Sequence, residues 1–274
     1  MANIIQEAKE AVIPGESKTS ASGKRILIVA TSHDKLGDSG QPTGCWAEEL
    51  AAPYYIFKDA GAQVDVASIK GGKIPIDIGS LAENFVTPHV NRYLADESLK
   101  ESVELAFSKE SFSNYDAIYI PGGHGIMFDG PNDKHFIAVV EKFWTEGKIV
   151  ASVCHGPAGL VAIRAPDGIP IVKGKKVCGF SNAEEAAVGK TNKVPFLLED
   201  KLKELGGLYE AGPDWVCHNS TCFTNLTLLH NVNSKHAMHL CLVESSYGTD
   251  CELSCGLKTD LSSYPFIFFG LLKR

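Results

Sequence analysis

A three-layer α/β sandwich, with helices on both faces of a mostly parallel sheet, is the fold this sequence predicts. Two observations carry that expectation. The runs 25–31 (RILIVAT), 115–120 (YDAIYI) and 149–154 (IVASVC) are rich in apolar and β-branched residues, as strands buried on both faces are. Stretches of helical period lie between such runs: 43–60, with Trp46, Leu50, Tyr54 and Phe57 on one stripe, and 133–146, with Phe136, Val139, Val140 and Phe143.

Residues 1–23 are polar, carry Pro14 and Gly15, and read as a disordered tail. Strand 25–31 follows. A Gly- and Asp-bearing loop leads to Thr43, which can cap a helix to about Ala60; Pro53 should kink that helix and Gly61 end it. Residues 63–68 alternate as a strand, completing a βαβ unit. Residues 70–112 read as an excursion with an amphipathic stretch at 96–107, the kind of insertion that walls a site. Strand 115–120 stops at Pro121-Gly-Gly-His-Gly125. Strand 149–154 runs into a predicted helix, 155–163, with Pro157 in its first turn. A short strand at 174–179 and helices at 182–188 and 196–205 complete a domain spanning 24–216. From Cys217 to Arg274 periodicity fades, and the apolar run Tyr264-Pro-Phe-Ile-Phe-Phe-Gly-Leu-Leu invites aggregation; 217–274 is read as an atypical, poorly ordered tail.

The 274 residues are 44% hydrophobic and 22% charged, enough for a sizeable core. A net charge of -7, with no basic cluster, sets nucleic acid and anionic membranes aside as partners. No run approaches the ~20 apolar residues of a membrane span, and the N-terminus lacks the pattern of a signal peptide. A cytoplasmic protein is expected, with the nucleus as a second compartment. The eight cysteines are then expected to be reduced.

Cys154 sits where a buried strand turns into a helix, at the carboxyl edge of the sheet where ligands bind. The helix N-terminus should favour its thiolate. A buried structural cysteine is the competing reading of this segment taken alone. The 121–125 loop lies on the same edge, and its glycines let backbone N–H groups approach a substrate oxygen. Taken singly, Glu49 could be a solvated helix residue, Glu184-Glu185 a charged surface, and His124 a loop-bonding histidine. Cys45 and Cys178 read as small core residues. His236, His239, Cys241, Cys251 and Cys255 fit no zinc framework, so no metal is expected.

The stretches Tyr-Ile-Pro-Gly-Gly-His-Gly (119–125) and Ala-Ser-Val-Cys-His-Gly-Pro-Ala (151–158) resemble the ThiJ/PfpI superfamily. Thr43-Gly44 followed by Glu49 and Pro53, Phe128-Asp129, and Gly179-Phe180-Ser181 followed by Glu184-Glu185 resemble its heat-shock-protein-31-like, glutathione-independent glyoxalase branch. The similarity covers about 24–216. It implies a flavodoxin-like sandwich with a nucleophile-elbow cysteine, Cys154, paired with His155, which Glu185 orients. It places Glu49 beside the thiol, with Glu48 one position off the matching spacing. It makes Gly122, Gly123 and the His155 amide an oxyanion hole, with His124 in the same substrate-binding loop. The implied reaction converts methylglyoxal, or another small 2-oxoaldehyde, to a hydroxy acid (D-lactate) through a cysteine hemithioacetal, without a dissociable cofactor. A stress-related holding chaperone, a cysteine peptidase and a deglycase are the alternatives. A class I glutamine amidotransferase shares the architecture but needs a His-x-Glu, which this chain lacks. Homodimers are common among relatives. The tail departs from the family pattern, which fits either an alternative terminal exon or a truncated copy.

Overall fold

A computed structural model describes residues 21–99, 102–104 and 112–211, and places two further strands at Asn219–Ser220 and Leu240–Val243. The sheet is built from β1 (Arg25–Ala30), β2 (Gln63–Ser68), β3 (Val103–Glu104), β4 (Ala117–Ile120), β5 (Ile149–Val153), β8 (Asn219–Ser220) and β9 (Leu240–Val243). Their order across it is β3-β2-β1-β4-β5-β9-β8. All neighbours run parallel except β9, which pairs antiparallel with β5. The topology reverses between β2 and β4, on either side of β1, as in doubly wound sheets.

Strand parity assigns the two faces. Leu27 and Val29 of β1, Ile118 and Ile120 of β4 and Val150 of β5 pack in one cluster with Phe136, Val140 and Phe143 of α4 (Lys134–Thr145). Ile26, Ile28, Ala30, Tyr119, Ala151 and Val153 pack on the other face with Leu50, Tyr54, Tyr55 and Phe57 of α1 (Ala47–Asp59). Both faces are covered, so the central strands are apolar at nearly every position, which is why their sequence signal is strong.

The remaining helices are α2 (Pro88–Ala95), α3 (Ile126–Asp129), α5 (Asn182–Ala187) and α6 (Leu198–Glu204). Helix α4 is capped by Asp133, whose carboxylate accepts from the amides of His135 and Phe136. Helix α5 begins with a capping box between Ser181 and Glu184.

Several expectations are corrected. Thr43 does not cap α1. Trp46 holds that position with no side-chain cap, and Thr43 Oγ1 instead donates to Asp77 Oδ2 at 3.1 Å. The expected end of α1 near Ala60 holds, the helix continuing through Pro53 to Asp59. The helix of the excursion is α2, capped by Thr87 and begun by Pro88, not 96–107. Of that stretch, 97–99 is a 3₁₀ turn, 103–104 is β3, and 100–101 and 105–107 lie outside the described residues. The predicted helix 155–163 is a 3₁₀ turn of 5 residues, Gly156–Leu160. Strand 174–179 shrinks to β6 (Lys176–Val177), paired with β7 (Leu208–Tyr209) in a separate two-stranded sheet. Apart from the backbone of β8 and β9, the tail from Cys217 lies outside the described residues, and with it the side chains of all five candidate zinc ligands. No helix among the described residues is long and apolar enough to cross a membrane.

Candidate active site

Cys154 is the only non-glycine residue with positive φ among the described residues, at 56°. A left-handed conformation costs an ordinary L-residue on the order of 1–3 kcal/mol. The effect of that strain is visible in the packing. By strand parity residue 154 should follow Val150 onto the α4 face. Instead its side chain lies with the α1-side cluster, next to Val153. The elbow therefore turns the sulfur toward the helix that carries Glu49.

Glu49 is buried, and its position is built from three elements. Pro53 has no N–H to offer the Glu49 carbonyl four residues earlier. Tyr119 of β4 supplies the missing donor, its hydroxyl reaching Glu49 O at 3.0 Å. The side chain is held from the glycine loop, where Gly122 N–H donates to Oε2 at 2.8 Å. A Cβ on Gly122 would lie 2.6 Å from that same oxygen and 2.7 Å from Val153 O, so only glycine permits the approach. Gly123 has φ +86°, and a Cβ there would lie 2.2 Å from Gly44 O. Burial pushes the Glu49 carboxyl up to about 8, against hydrogen bonds from Cys154 and Gly122 that pull it down.

Burial, and next the charge of Glu49, push the Cys154 thiol well above its ordinary range, while the Gly123 and His155 amides directed at the sulfur oppose this. The expectation that a following helix would hold the thiolate is thus corrected. The segment is a short 3₁₀ turn, burial favours the thiol form of Cys154, and two groups able to carry a proton lie beside it. One is Glu49, to which it is hydrogen-bonded. The other is His155 Nδ1, 3.3 Å from Sγ.

Glu185 is buried, not on a charged surface, and each of its oxygens meets a different histidine. Oε2 lies 2.8 Å from His155 Nε2 and Oε1 lies 2.8 Å from His124 Nε2. Burial pushes this carboxyl up, but the two histidine hydrogen bonds outweigh it and hold it down at about 2. An ionised carboxylate only accepts, so both histidines donate their Nε2–H to it. His155 Nδ1 is then a lone pair aimed at the thiol. The His155 ring is flanked by His124, with centroids 3.9 Å apart, and by Phe180 at 4.2 Å. His124 is buried, and burial followed by the neighbouring His155 pushes it down to about 4, so it is neutral. Its Nδ1 faces Lys190 Nζ at 3.4 Å. His124, His155 and Glu185 have the composition of a metal site and their donor atoms lie within 4.8 Å of one another. Both Nε2 protons are committed to Glu185, however, and a cation there would have to displace them beside an ammonium.

The sequence profile of the DJ-1/PfpI family matches residues 43–195, more than half of the chain. The chain belongs to the DJ-1/PfpI family. As a DJ-1/PfpI protein it is 30% identical, over 69% of its length and 83% of the relative's, to the glutathione-independent glyoxalase HSP31 of Saccharomyces cerevisiae. The crystal structure of glyoxalase III from Candida albicans superposes with a TM-score of 0.61 at 26% identity, covering 69% of this DJ-1/PfpI chain and 83% of that one. The Rapid Encystment Protein 24 KDa of Francisella tularensis superposes with a TM-score of 0.67 at 39% identity, covering 71% and 87%.

The structure brings Cys154, His155, Glu49, Glu185, Gly122, Gly123 and His124 of this DJ-1/PfpI chain into one cluster. One expected contribution changes. The Gly122 amide is spent on Glu49 Oε2, leaving the Gly123 and His155 amides facing the sulfur. Three participants escaped the sequence reading: Tyr119, Lys190 and the pairing of His124 with Glu185. A Pro four residues after Glu49 announces an orphaned carbonyl, so the need for a donor such as Tyr119 was legible. Lys190, in an ordinary Gly-Lys-Thr loop, carries no sequence signal of its place.

Proposed function

We propose that this protein is a glutathione-independent glyoxalase that converts methylglyoxal and similar 2-oxoaldehydes to hydroxy acids, D-lactate in the case of methylglyoxal. The observation that carries the reading is a strained cysteine whose thiol lies between two separate groups able to carry a proton, the Glu49 carboxyl and the His155 imidazole. The relatives named as glyoxalases support the choice of substrate.

Each residue then has a defined task. His155 Nδ1 takes the thiol proton as Sγ adds to the aldehyde carbon, and the carbonyl oxygen is protonated to give a hemithioacetal. Glu185 compensates the imidazolium that forms. Glu49 next removes the hydrogen from the former aldehyde carbon and returns it to the neighbouring ketone carbon, leaving a thioester of the 2-hydroxy acid. A carboxyl raised to about 8 suits this shuttle. It is ionised in about one molecule in ten at pH 7, and a strong base when it is. The Gly123 and His155 amides face the position where negative oxygen develops. Water cleaves the thioester, releases the hydroxy acid and restores the thiol. Atoms balance with water as the only co-reactant.

The test is the appearance of D-lactate from methylglyoxal in the absence of glutathione, with the purified full-length chain. Cys154→Ala should reduce turnover by about 10³-fold or more. Wild-type protein that yields no lactate, or Cys154→Ala protein that yields as much, rejects the assignment.

A further inference from the structure

The shared carboxylate of Glu185 raises a question that the hemithioacetal chemistry does not answer. A buried glutamate that anchors His155 gives half of its accepting capacity to a second histidine, His124, which does not touch the thiol. His124 is met on its far side by the Lys190 ammonium, 3.4 Å from Nδ1. Lys190 is itself steadied by Asp77, whose Oδ2 lies 4.0 Å from Nζ and also accepts from Thr43. The result is a polar line from the partly exposed Lys190 through His124 and Glu185 to His155 and Cys154. It draws on the loops after β2 and β4, the elbow after β5, and α5 with the turn that follows it.

We propose that Lys190 is a positioning residue: its ammonium, donating to His124 Nδ1, fixes His124 as the Nε2–H tautomer and keeps it from taking a second proton, so that Glu185 stays divided between two Nε2–H donors and holds the His155 ring with Nδ1 facing Cys154. The electrostatic logic follows from the contacts. A neutral histidine between an ammonium and a carboxylate has one satisfactory tautomer, Nδ1 accepting and Nε2 donating. An imidazolium there would set an N–H against the ammonium. The charged or titratable groups facing His124 are Glu185 from α5, Lys190 after α5 and His155 from the elbow, with Asp77 one step further on Lys190. Of these, the two cations or potential cations disfavour a charged His124 and Glu185 favours it. Without Lys190 the balance shifts toward the imidazolium. A charged His124 then claims the shared carboxylate, and His155 loses part of its anchor as the pH falls.

This inference rests on the assignment of His155 as the base for Cys154, but its test needs no glyoxalase substrate. The rate at which iodoacetamide alkylates Cys154 is followed from pH 3.5 to pH 9 by mass spectrometry of the Cys154-containing peptide. Lys190→Met should move the acid limb of that profile up by about one pH unit, slowing alkylation about tenfold at its foot, and leave the rate near pH 8.5 as in wild type. Lys190→Arg, which keeps a cationic donor, should restore the wild-type profile. Thermal melting of all three proteins separates positioning from loss of structure: the melting temperature of Lys190→Met should stay near that of wild type. An unshifted Lys190→Met profile, or a Lys190→Arg profile that follows Lys190→Met, overturns the proposal. Should methylglyoxal yield no lactate while the alkylation shift is observed, the function fails and the role of Lys190 stands.

Discussion

Adjacent residues of α1 meet opposite fates in the same low-dielectric interior. Glu49 and Glu48 are both buried, and burial pushes their carboxyls up, to about 8 and about 7. Glu49 accepts from the Gly122 amide and meets the thiol, whereas Glu48 Oε2 accepts from the Thr87 hydroxyl that caps α2, and Glu48 Oε1 has no partner among the described residues. Glu48 therefore reads as a support of the α1–α2 contact, and Glu49 as the proton carrier. Glu49→Gln retains an acceptor for the Gly122 amide but cannot hold a transferable proton. It should lower kcat for methylglyoxal by about 10²–10⁴-fold and leave KM within a few-fold. Glu48→Gln should cost far less in kcat. Steady-state kinetics of the two variants decides the matter: equal losses would remove the distinction drawn here.

At the scale of elements, the site is set by three departures from regular structure: a proline inside a helix, a left-handed residue at the end of a strand, and glycines where a strand becomes a loop. Pro53 leaves the Glu49 carbonyl without its helical donor, and Tyr119 of β4 fills the gap across the interface between helix and sheet. Tyr119→Phe should therefore destabilise the fold by about 1–3 kcal/mol, because it strands a buried carbonyl. Pro53→Ala restores an N–H at that position and should recover most of the loss in the double variant. A double-mutant cycle by urea unfolding measures the coupling, and additive effects would show that the two residues do not serve the same carbonyl. These departures also explain what the sequence could reveal. The β4 and β5 strands were legible because burial on both faces makes them continuous apolar runs, α4 because burial on one face imposes a helical period, and the elbow because Cys-His-Gly-Pro follows a buried strand. Helix α2 was missed because its stripe spans only 8 residues and lies beside the amphipathic stretch 96–107 that follows it. The predicted helix after Cys154 was wrong because Gly156, Pro157 and Gly159 satisfy a turn as readily as a helix. Glu185 was ambiguous because nothing in a Glu-Glu pair reveals two histidines folded over one member from distant loops.

For the whole molecule, the opposed shifts of the buried acids dictate how stability follows pH. Glu48 and Glu49 are raised, to about 7 and about 8, so the folded state holds their protons where the unfolded chain, ionising at its ordinary value, has lost them. Their contribution is whole below about pH 4.5, and stability drains away as the pH rises through 7 and 8. Glu185 is lowered to about 2, so the folded state stays ionised while the unfolded chain takes up protons. Its contribution is whole above about pH 4.5 and is lost as the pH falls toward 2. Each pH unit of displacement is worth about 1.4 kcal/mol per group, so the two slopes are large beside the total stability of a domain. His124, held down at about 4, loses its contribution as the pH falls below its ordinary 6.5, so the stability of wild-type protein should be greatest between about pH 4.5 and 6.5 and decline on both sides. Glu49→Gln should flatten the alkaline decline between pH 5 and pH 8.5 and leave the acid side unchanged. Glu185→Gln should flatten the acid side only, at the cost of lower stability near neutrality, where the two histidines lose their ionised acceptor. Urea unfolding at half-unit pH intervals measures all three curves. A wild-type optimum at pH 8, or a Glu49→Gln curve parallel to wild type, would mean that Glu49 is ionised in the folded protein at neutral pH, so that the carboxylate the shuttle starts from is the resting form and not a minor one.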